Sequence, residues 1–330
     1  RLKAVIEATD PQKEKARPVI KRAIHPFLNW AAQIDVLRPG EKVRAIGRPQ
    51  PKPPLHVRPD SYSVSDIMKM IQDPFHIYAK KILRLRQRDP IAESFDHKAW
   101  GTLVHDLMEA AVHPDLIKNQ DSDQRYKALW EVAEPLVESS HMEPALRDYW
   151  TGRLKMIARW AAADLCPDLS VLETSRTEIN GALHLEADNL PFEIYGRADR
   201  VDRDSDGQVT ITDYKTGSLP SRKDIQGGRA PQLPLMGLMA VAGGFKGLQA
   251  ANLEQVNLNY IALKGQRDAA PEKMPIKKPA TLLKATKVQV QDILARFYDE
   301  TMPYHCRPSA EIEPRYDDYA HLSRHKEWGL

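Results

Sequence analysis

Asp213 and Lys215 stand two residues apart at the end of Val209-Thr210-Ile211-Thr212, a run that alternates apolar and polar residues as a half-buried β-strand does. The two-residue period puts Val209, Ile211, Asp213 and Lys215 on one face and Tyr214 on the other. A second run of strand character ends in Gly196-Arg197-Ala198-Asp199-Arg200, and a short turn brings Asp199 alongside Asp213. A chain with this pattern must therefore build a sheet whose buried face ends in charge. Two carboxylates and an ammonium at one spot are the minimal set for metal-assisted phosphodiester hydrolysis. The acids hold a hard divalent cation, and the lysine stabilises developing charge or positions the attacking water.

At 330 residues the chain holds one large domain or two small ones. Its net charge of +3 excludes a polybasic binder, so any contact with nucleic acid must be a local patch. Cys166 and Cys306 are too few for a disulfide framework and suit a reducing, cytoplasmic setting. No stretch has the length of a membrane span, no signal-peptide pattern is present, and no membrane partner is expected. The chain begins at Arg1, which fits either a trimmed chain or a piece of a longer polypeptide.

Residues 1–38 read as mostly helical, with Phe27, Leu28, Trp30 and Ala31 as a small apolar cluster. Pro39 to Pro59 is rich in proline and basic residues, which predicts an extended linker and a domain boundary near residue 60. Ser63 or Ser65 is an N-cap for a helix from about Asp66, broken at Asp73-Pro74 and followed by another through Tyr78 to Arg86. A longer helix spans about Lys98 to Ala111 and carries His105. Residues 124–165 have helical spacing, with Trp130, Trp150 and Trp160 as expected core. Strands are predicted at 171–179, 182–186, 192–201 and 208–215, and a helix around 221–242 containing Gln232. Val256 to Leu263 reads as a strand and 284–299 as the last helix.

Other patterns compete with or qualify this reading. Asp202, Asp204, Asp206, Gly207 and Asp213 fit the calcium-loop spacing, except that Asp replaces the final Glu. Strand-like flanks and the Asp206-Gly207 turn signal favour a hairpin instead. His105 sits among Leu103, Val104, Leu107 and Met108, so its surroundings alone suit a core histidine as well as a ligand. Lys80, Lys81, Arg84, Arg86 and Arg88 form a basic stretch that either solvates a helix face or tracks phosphates. His321 and His325 have i, i+4 spacing but no clear third ligand. There is no phosphate-binding P-loop and no C-x-x-C pair.

Ordered along the chain are Ser63-Val64-Ser65-Asp66-Ile67, Asp73-Pro74-Phe75-His76-Ile77-Tyr78-Ala79, Gly101-Thr102-Leu103-Val104-His105, the two acidic motifs, and Ala230-Pro231-Gln232-Leu233-Pro234-Leu235. Arg307-Pro308 through Tyr319, His321-Leu322 and Lys326-Glu327-Trp328 follow. This set resembles the RecB-like branch of the PD-(D/E)xK nuclease superfamily, and within it the C-terminal nuclease region of AddB-type proteins of the alphaproteobacterial kind.

The resemblance implies an α/β restriction-endonuclease-like core: a mixed central sheet flanked by helices. It places the nuclease domain at 61–330, with a helical insertion at about 112–168 and a C-terminal extension at about 300–330. Residues 1–60 would then be a helical segment and linker from an upstream helicase-like region. Asp199, Asp213 and His105 would hold Mg²⁺ or Mn²⁺, Lys215 would assist the nucleophile, and Gln232 would orient the lysine or touch the DNA backbone. An acid on the preceding strand, Glu173 or Glu178, would assist the metal, with Glu178 preferred. Lys80, Lys81, Arg84 and Arg88 would meet DNA. The implied activity is cleavage of single-stranded DNA during double-strand break repair, in the bacterial cytoplasm, beside an AddA-type helicase–nuclease subunit. The alternatives are a catalytically silent DNA-guiding or docking module and a stand-alone RecB-like exonuclease. Many relatives carry four cysteines for an iron–sulfur cluster. Here Asp73 takes the first position and Cys306 stands alone near the end, so no cluster is expected, and Tyr304, Tyr316, Tyr319 and Trp328 are expected to pin the C-terminal segment against residues 66–84.

Overall fold

The structure, a computed structural model, describes residues 47–86, 97–114, 116, 121–140, 142–265, 271–308 and 317–328. The cluster expected at Phe27–Ala31, the helix expected over 1–38, Arg88 and Tyr316 lie outside the described residues. The chain divides into two compact units, one of Arg48–Lys326 and one of Arg1–Gly47 with Glu327–Leu330. Every element below belongs to the first, and Trp328 belongs to the second.

Among the described residues one mixed sheet contains β1 (Ser61–Ser63), β2 (Thr174–Ala187), β3 (Leu190–Arg203), β4 (Val209–Lys215), β5 (Val256–Ala262) and β6 (Glu272–Pro275). β3 organises it. β2 runs antiparallel along one edge of β3 for its whole length. The other edge is shared: β1 pairs in parallel with Glu193–Tyr195, and β4 pairs antiparallel with Arg200–Arg203. β4 then carries β5 in parallel, and β6 closes the order antiparallel to β5.

The runs expected at 171–179 and 182–186 are one strand, β2. A two-residue turn at Asp188-Asn189 joins it to β3, and both residues have positive φ, 51° and 62°. Such turns match the right-handed strand twist, and Asp and Asn tolerate the left-handed conformation. Asp204 and Gly207 close the β3–β4 hairpin. Asp204 Oδ1 accepts from the Asp206 and Gln208 amides, and Gly207 takes φ 75°. Strands, not helices, flank this loop, so the calcium-loop pattern is a hairpin turn.

Helices cover both faces. On one lie α1 (Val64–Gln72), α8 (Gln232–Val241) and α9 (Pro279–Phe297), whose Ile67, Leu235 and Leu283 pack with Val209, Ile211 and Leu258. On the other, α3 (His97–Ala111), α4 (Ser122–Ser139) and α5 (Pro144–Trp160) bury Val104, Leu129 and Ile157 with Tyr214 and Ile261. Tyr214 thus enters the core opposite to that of Val209 and Ile211, as the strand period requires. Of the tryptophans expected inside, Trp160 is buried while Trp130 and Trp150 are half-buried; Trp100, at 2% exposure, was not singled out.

Helix ends follow local chemistry. Ser63 and Asp66 form a capping box at the start of α1. Asp73 ends it, and Pro74 opens α2 (Pro74–Ile77), which continues as a π-helical turn at Tyr78–Ile82 and stops short of Arg86. The helix expected over 221–242 is split into α7 (Arg222–Gln226) and α8, because Gly227, Gly228 at φ 70° and Pro231 intervene. Arg58, buried within the expected linker, donates to the carbonyls of Pro53, Phe297, Asp299 and Glu300. It caps the end of α9, where backbone acceptors lack helical partners.

Aromatic packing and polar contacts hold the C-terminal segment. Tyr304 is fully buried against Phe297 and Tyr78. Tyr319 packs edge-on against His76 and donates its hydroxyl to Leu85 O. The Arg307 amide donates to Asp73 Oδ1, and Arg307 Nη2 pairs with Asp317 at 2.7 Å. Cys306 and Cys166 are both free and buried.

Candidate active site

The register of the two hairpins lines up three acids. Thr177 pairs with Arg200 and Ile179 with Ala198, which puts Glu178 opposite Asp199. Arg200 pairs with Thr212, so the next position puts Asp199 opposite Asp213, and Asp213 in turn pairs with Tyr260 on β5. Glu178, Asp199 and Asp213 therefore occupy one transverse row of the sheet. Regular pairing lapses at this row: no backbone pair joins Glu178 to Asp199 or Asp199 to Asp213. The Tyr214 amide instead donates to Asp199 Oδ2 at 2.7 Å.

Glu178 itself has φ 48°, a left-handed conformation that costs a residue with a Cβ roughly 1 kcal/mol or more. The irregularity also changes which alternate residues of β3 enter the core. Phe192, Ile194 and Ala198 are buried on one parity and Val201 on the other, all in the same cluster.

The acids meet a histidine from above the sheet. α3 projects His105, whose Nδ1 lies 3.2 Å from Glu178 Oε1 and 3.7 Å from Asp199 Oδ1. Donor atoms of His105, Glu178 and Asp199 lie within 4.8 Å of one another, close enough to share one cation. Tyr214 steadies the imidazole edge-on, with centroids 6.2 Å apart. Arg197 Nε holds the other Glu178 oxygen at 2.7 Å. Glu173 is exposed before β2 begins, outside this group. Asp213 also stands outside the three-residue group, one strand over. Its buried Oδ2 lies 2.6 Å from Lys215 Nζ but has no aligned hydrogen bond. Gln232 Oε1, at the start of α8, accepts from the same ammonium at 3.3 Å. A hard, oxygen-seeking divalent cation fits the donor set of His105, Glu178 and Asp199.

Burial and the neighbouring Asp213 push the Asp199 carboxyl up to about 6. Burial also raises Asp213, against the pull of Lys215, and, followed by the Glu178 charge, it raises Asp106. Between its ordinary value near 4 and about 6, folded Asp199 holds a proton that the unfolded chain has lost, so metal-free stability falls as pH rises through that window. Asp199→Asn should therefore melt higher than the wild type in chelator at pH 7.5, by roughly 2 °C or more, with the gain vanishing near pH 4. Melting curves of both proteins at the two pH values check this, and a gain of equal size at both would refute it.

Several residues at the site went unnoticed in the sequence. Asp106 follows His105 on α3, Arg197 grips Glu178, and Tyr260 completes the transverse row. Beneath Tyr214 lies a buried chain. Ser175 donates to Asp202, Asp202 pairs with Arg200 at 2.9 Å, and Arg200 donates to the Tyr214 hydroxyl. Tyr260 could have been found by aligning its strand with β4; the Arg200 chain has no sequence signature. The basic stretch is partly engaged elsewhere. Lys80 and Lys81 pair with buried Asp66 at 2.6 and 3.2 Å, while Arg84 and Arg86 are exposed. His321 and His325 do not share a helical face, because Arg324, at φ 54°, breaks the helix between them.

Residues 61–310 match the PD-(D/E)XK nuclease superfamily, and the chain belongs to it. Its mixed sheet flanked by helices is that fold. The chain is 31% identical to an uncharacterized protein of Rickettsia bellii over 57% of its own length and 22% of the relative's. It is 29% identical to an ATP-dependent helicase/deoxyribonuclease subunit of Streptococcus agalactiae over 53% of its length and 16% of that protein. The match thus spans less than a quarter of either relative. A candidate exonuclease from Eubacterium rectale covers 81% of the chain and 94% of its own, at a TM-score of 0.43 and 12% identity.

Proposed function

We propose that this domain cleaves single-stranded DNA with a divalent cation, Mg²⁺ before Mn²⁺, as the nuclease part of an AddAB-type helicase–nuclease. The observation that carries the reading is the row Glu178–Asp199–Asp213, flanked by His105 on one side and Lys215 on the other. Asp199, Asp213 and His105 would hold the cation, with Glu178 close enough to His105 and Asp199 to be a ligand itself. When bound, the cation would supply Lewis acidity toward the phosphate and lower the pKa of a water. Lys215 then presents its ammonium to the attacking water and to the charge growing on the phosphate, and Gln232 keeps that ammonium aimed. Tyr214 fixes Asp199 through its amide and His105 through its ring.

Support for the assembly comes from the likeness to the streptococcal protein, whose name pairs a helicase with a deoxyribonuclease. An AddA-type subunit and an upstream helicase-like region are the partners proposed, in a bacterial cytoplasm. No helix among the described residues is long and apolar enough to cross a membrane. Arg84, with Arg88, Lys80 and Lys81 nearby in the chain, would meet the phosphates.

Without a motor to separate strands, the domain should cut a single strand at least about ten-fold faster than the matching blunt duplex, because each opened base step costs about 1.4 kcal/mol. Initial rates on the two substrates at one fixed salt concentration test the proposal. Equal or faster cutting of duplex would point to a self-sufficient, restriction-like enzyme.

A further inference from the structure

An aromatic cluster sits at the start of α3, beside the end of β4 that carries Lys215. Trp100 and Trp150 meet at a tilt of 39° with centroids 4.7 Å apart, and Tyr149 and His97 pack edge-on against Trp150 at 5.2 and 6.2 Å. The Arg153 guanidinium lies over the rings of Trp100, Tyr149 and Trp150, at 5.3, 5.5 and 5.1 Å. Its Nε donates to Lys264 O at 2.7 Å, which fixes the cation in place. Lys264 follows β5 just past Leu263, whose amide donates to Lys215 O. Trp100 precedes His105 by five residues, about 7.5 Å along the helix. A side chain at the neighbouring Gly101 would meet Thr216, the residue after Lys215, at 3.8 Å. The cluster therefore flanks the catalytic row on the Lys215 side.

We propose that Tyr149, Trp150 and Arg153 form a stacking platform for the bases of a single strand entering or leaving the site. Tyr149 is 57% exposed, which leaves part of its ring open to solvent. Its ring is backed by an aromatic neighbour and a fixed cation, the combination that holds successive bases regardless of sequence. Lys98, exposed two residues before Trp100, adds positive charge of the kind a phosphate backbone needs, while Lys264 lies 4.0 Å from Glu272. A single strand suits this surface better than a duplex, whose bases keep their faces against each other.

The inference rests on the nuclease reading, and the test separates the two. Anisotropy of a labelled oligo(dT) and of an abasic strand of the same length is measured in chelator, with wild type and Tyr149→Ala, alongside cleavage of the oligo(dT) in Mg²⁺. Tyr149→Ala should weaken oligo(dT) binding about ten-fold and leave abasic binding unchanged, because only the bases stack. Arg153→Lys, which keeps the charge but loses the planar face, should weaken it in the same direction. Equal loss on both strands, or none, would overturn the platform while wild-type cleavage upheld the nuclease. Unchanged DNA affinity together with a self-association that Tyr149→Ala abolishes, seen by light scattering, would assign the surface to a second protein chain instead. No wild-type cleavage of oligo(dT) would sink the nuclease reading itself.

Discussion

Lys215→Ala should lower the rate of DNA cleavage by about 10²–10³-fold, the usual cost of removing one preorganised charge from a developing anion. Asp213→Asn should lose at least as much, since it takes away both a proposed cation ligand and the partner that holds Lys215 at 2.6 Å. Neither change should unfold the protein. Lys215 is about a third exposed, and Asp213 is a carboxylate whose burial works against its charge, so the amide relieves a penalty instead of creating one. The two losses should not multiply in the double variant, because both residues act on the same phosphate. Single-turnover rates on a labelled strand, with circular dichroism to verify folding, decide the matter. Wild-type-like cleavage by either variant would put the catalytic centre elsewhere and leave these side chains only to close the end of a strand.

The part of the site legible in the sequence is the part set by strand period and hairpin symmetry. Asp213 and Lys215 share a face because they are two apart. Asp199 falls opposite Asp213 because the β3–β4 hairpin turns about Asp206, midway between them. The same arithmetic was available for Glu178. Asp188-Asn189 lies midway between Glu178 and Asp199, and recognising that pair as a two-residue turn would have fixed the register and set Glu173 aside. Gly227-Gly228 and Pro231 likewise marked a break inside the helix that was expected to be continuous.

What stayed hidden depends on non-local balance. The shift of core parity between Ala198 and Val201 departs from regular alternation, and follows from a left-handed Glu178 that only its surroundings stabilise. The engagement of Lys80 and Lys81 by Asp66 required knowing that α1 and the π-helical turn lie side by side. Arg200, an arginine inside a core, is tolerated because Asp202, Thr212 and Tyr214 satisfy it, and those partners come from two strands. Asp73, Arg307 and Asp317 tie the C-terminal segment to the start of α2: the Arg307 amide donates to Asp73, far away in the chain, and the Arg307 side chain pairs with Asp317.

Removing the cation that the three carboxylates of the row Glu178–Asp199–Asp213 are proposed to hold should have the largest effect of all. Without the cation the row is a cluster of like charges that burial makes worse, with Lys215 left to offset the phosphate's own charge. The direct measurement is the rate of cleavage of a labelled single strand by wild-type protein in excess chelator, then with Mg²⁺, Mn²⁺ or Ca²⁺ restored. Cleavage should disappear in chelator, return with Mg²⁺ or Mn²⁺, and stay absent with Ca²⁺, which accepts looser, higher coordination and is a weaker activator of water. Undiminished cleavage in excess chelator would contradict the account.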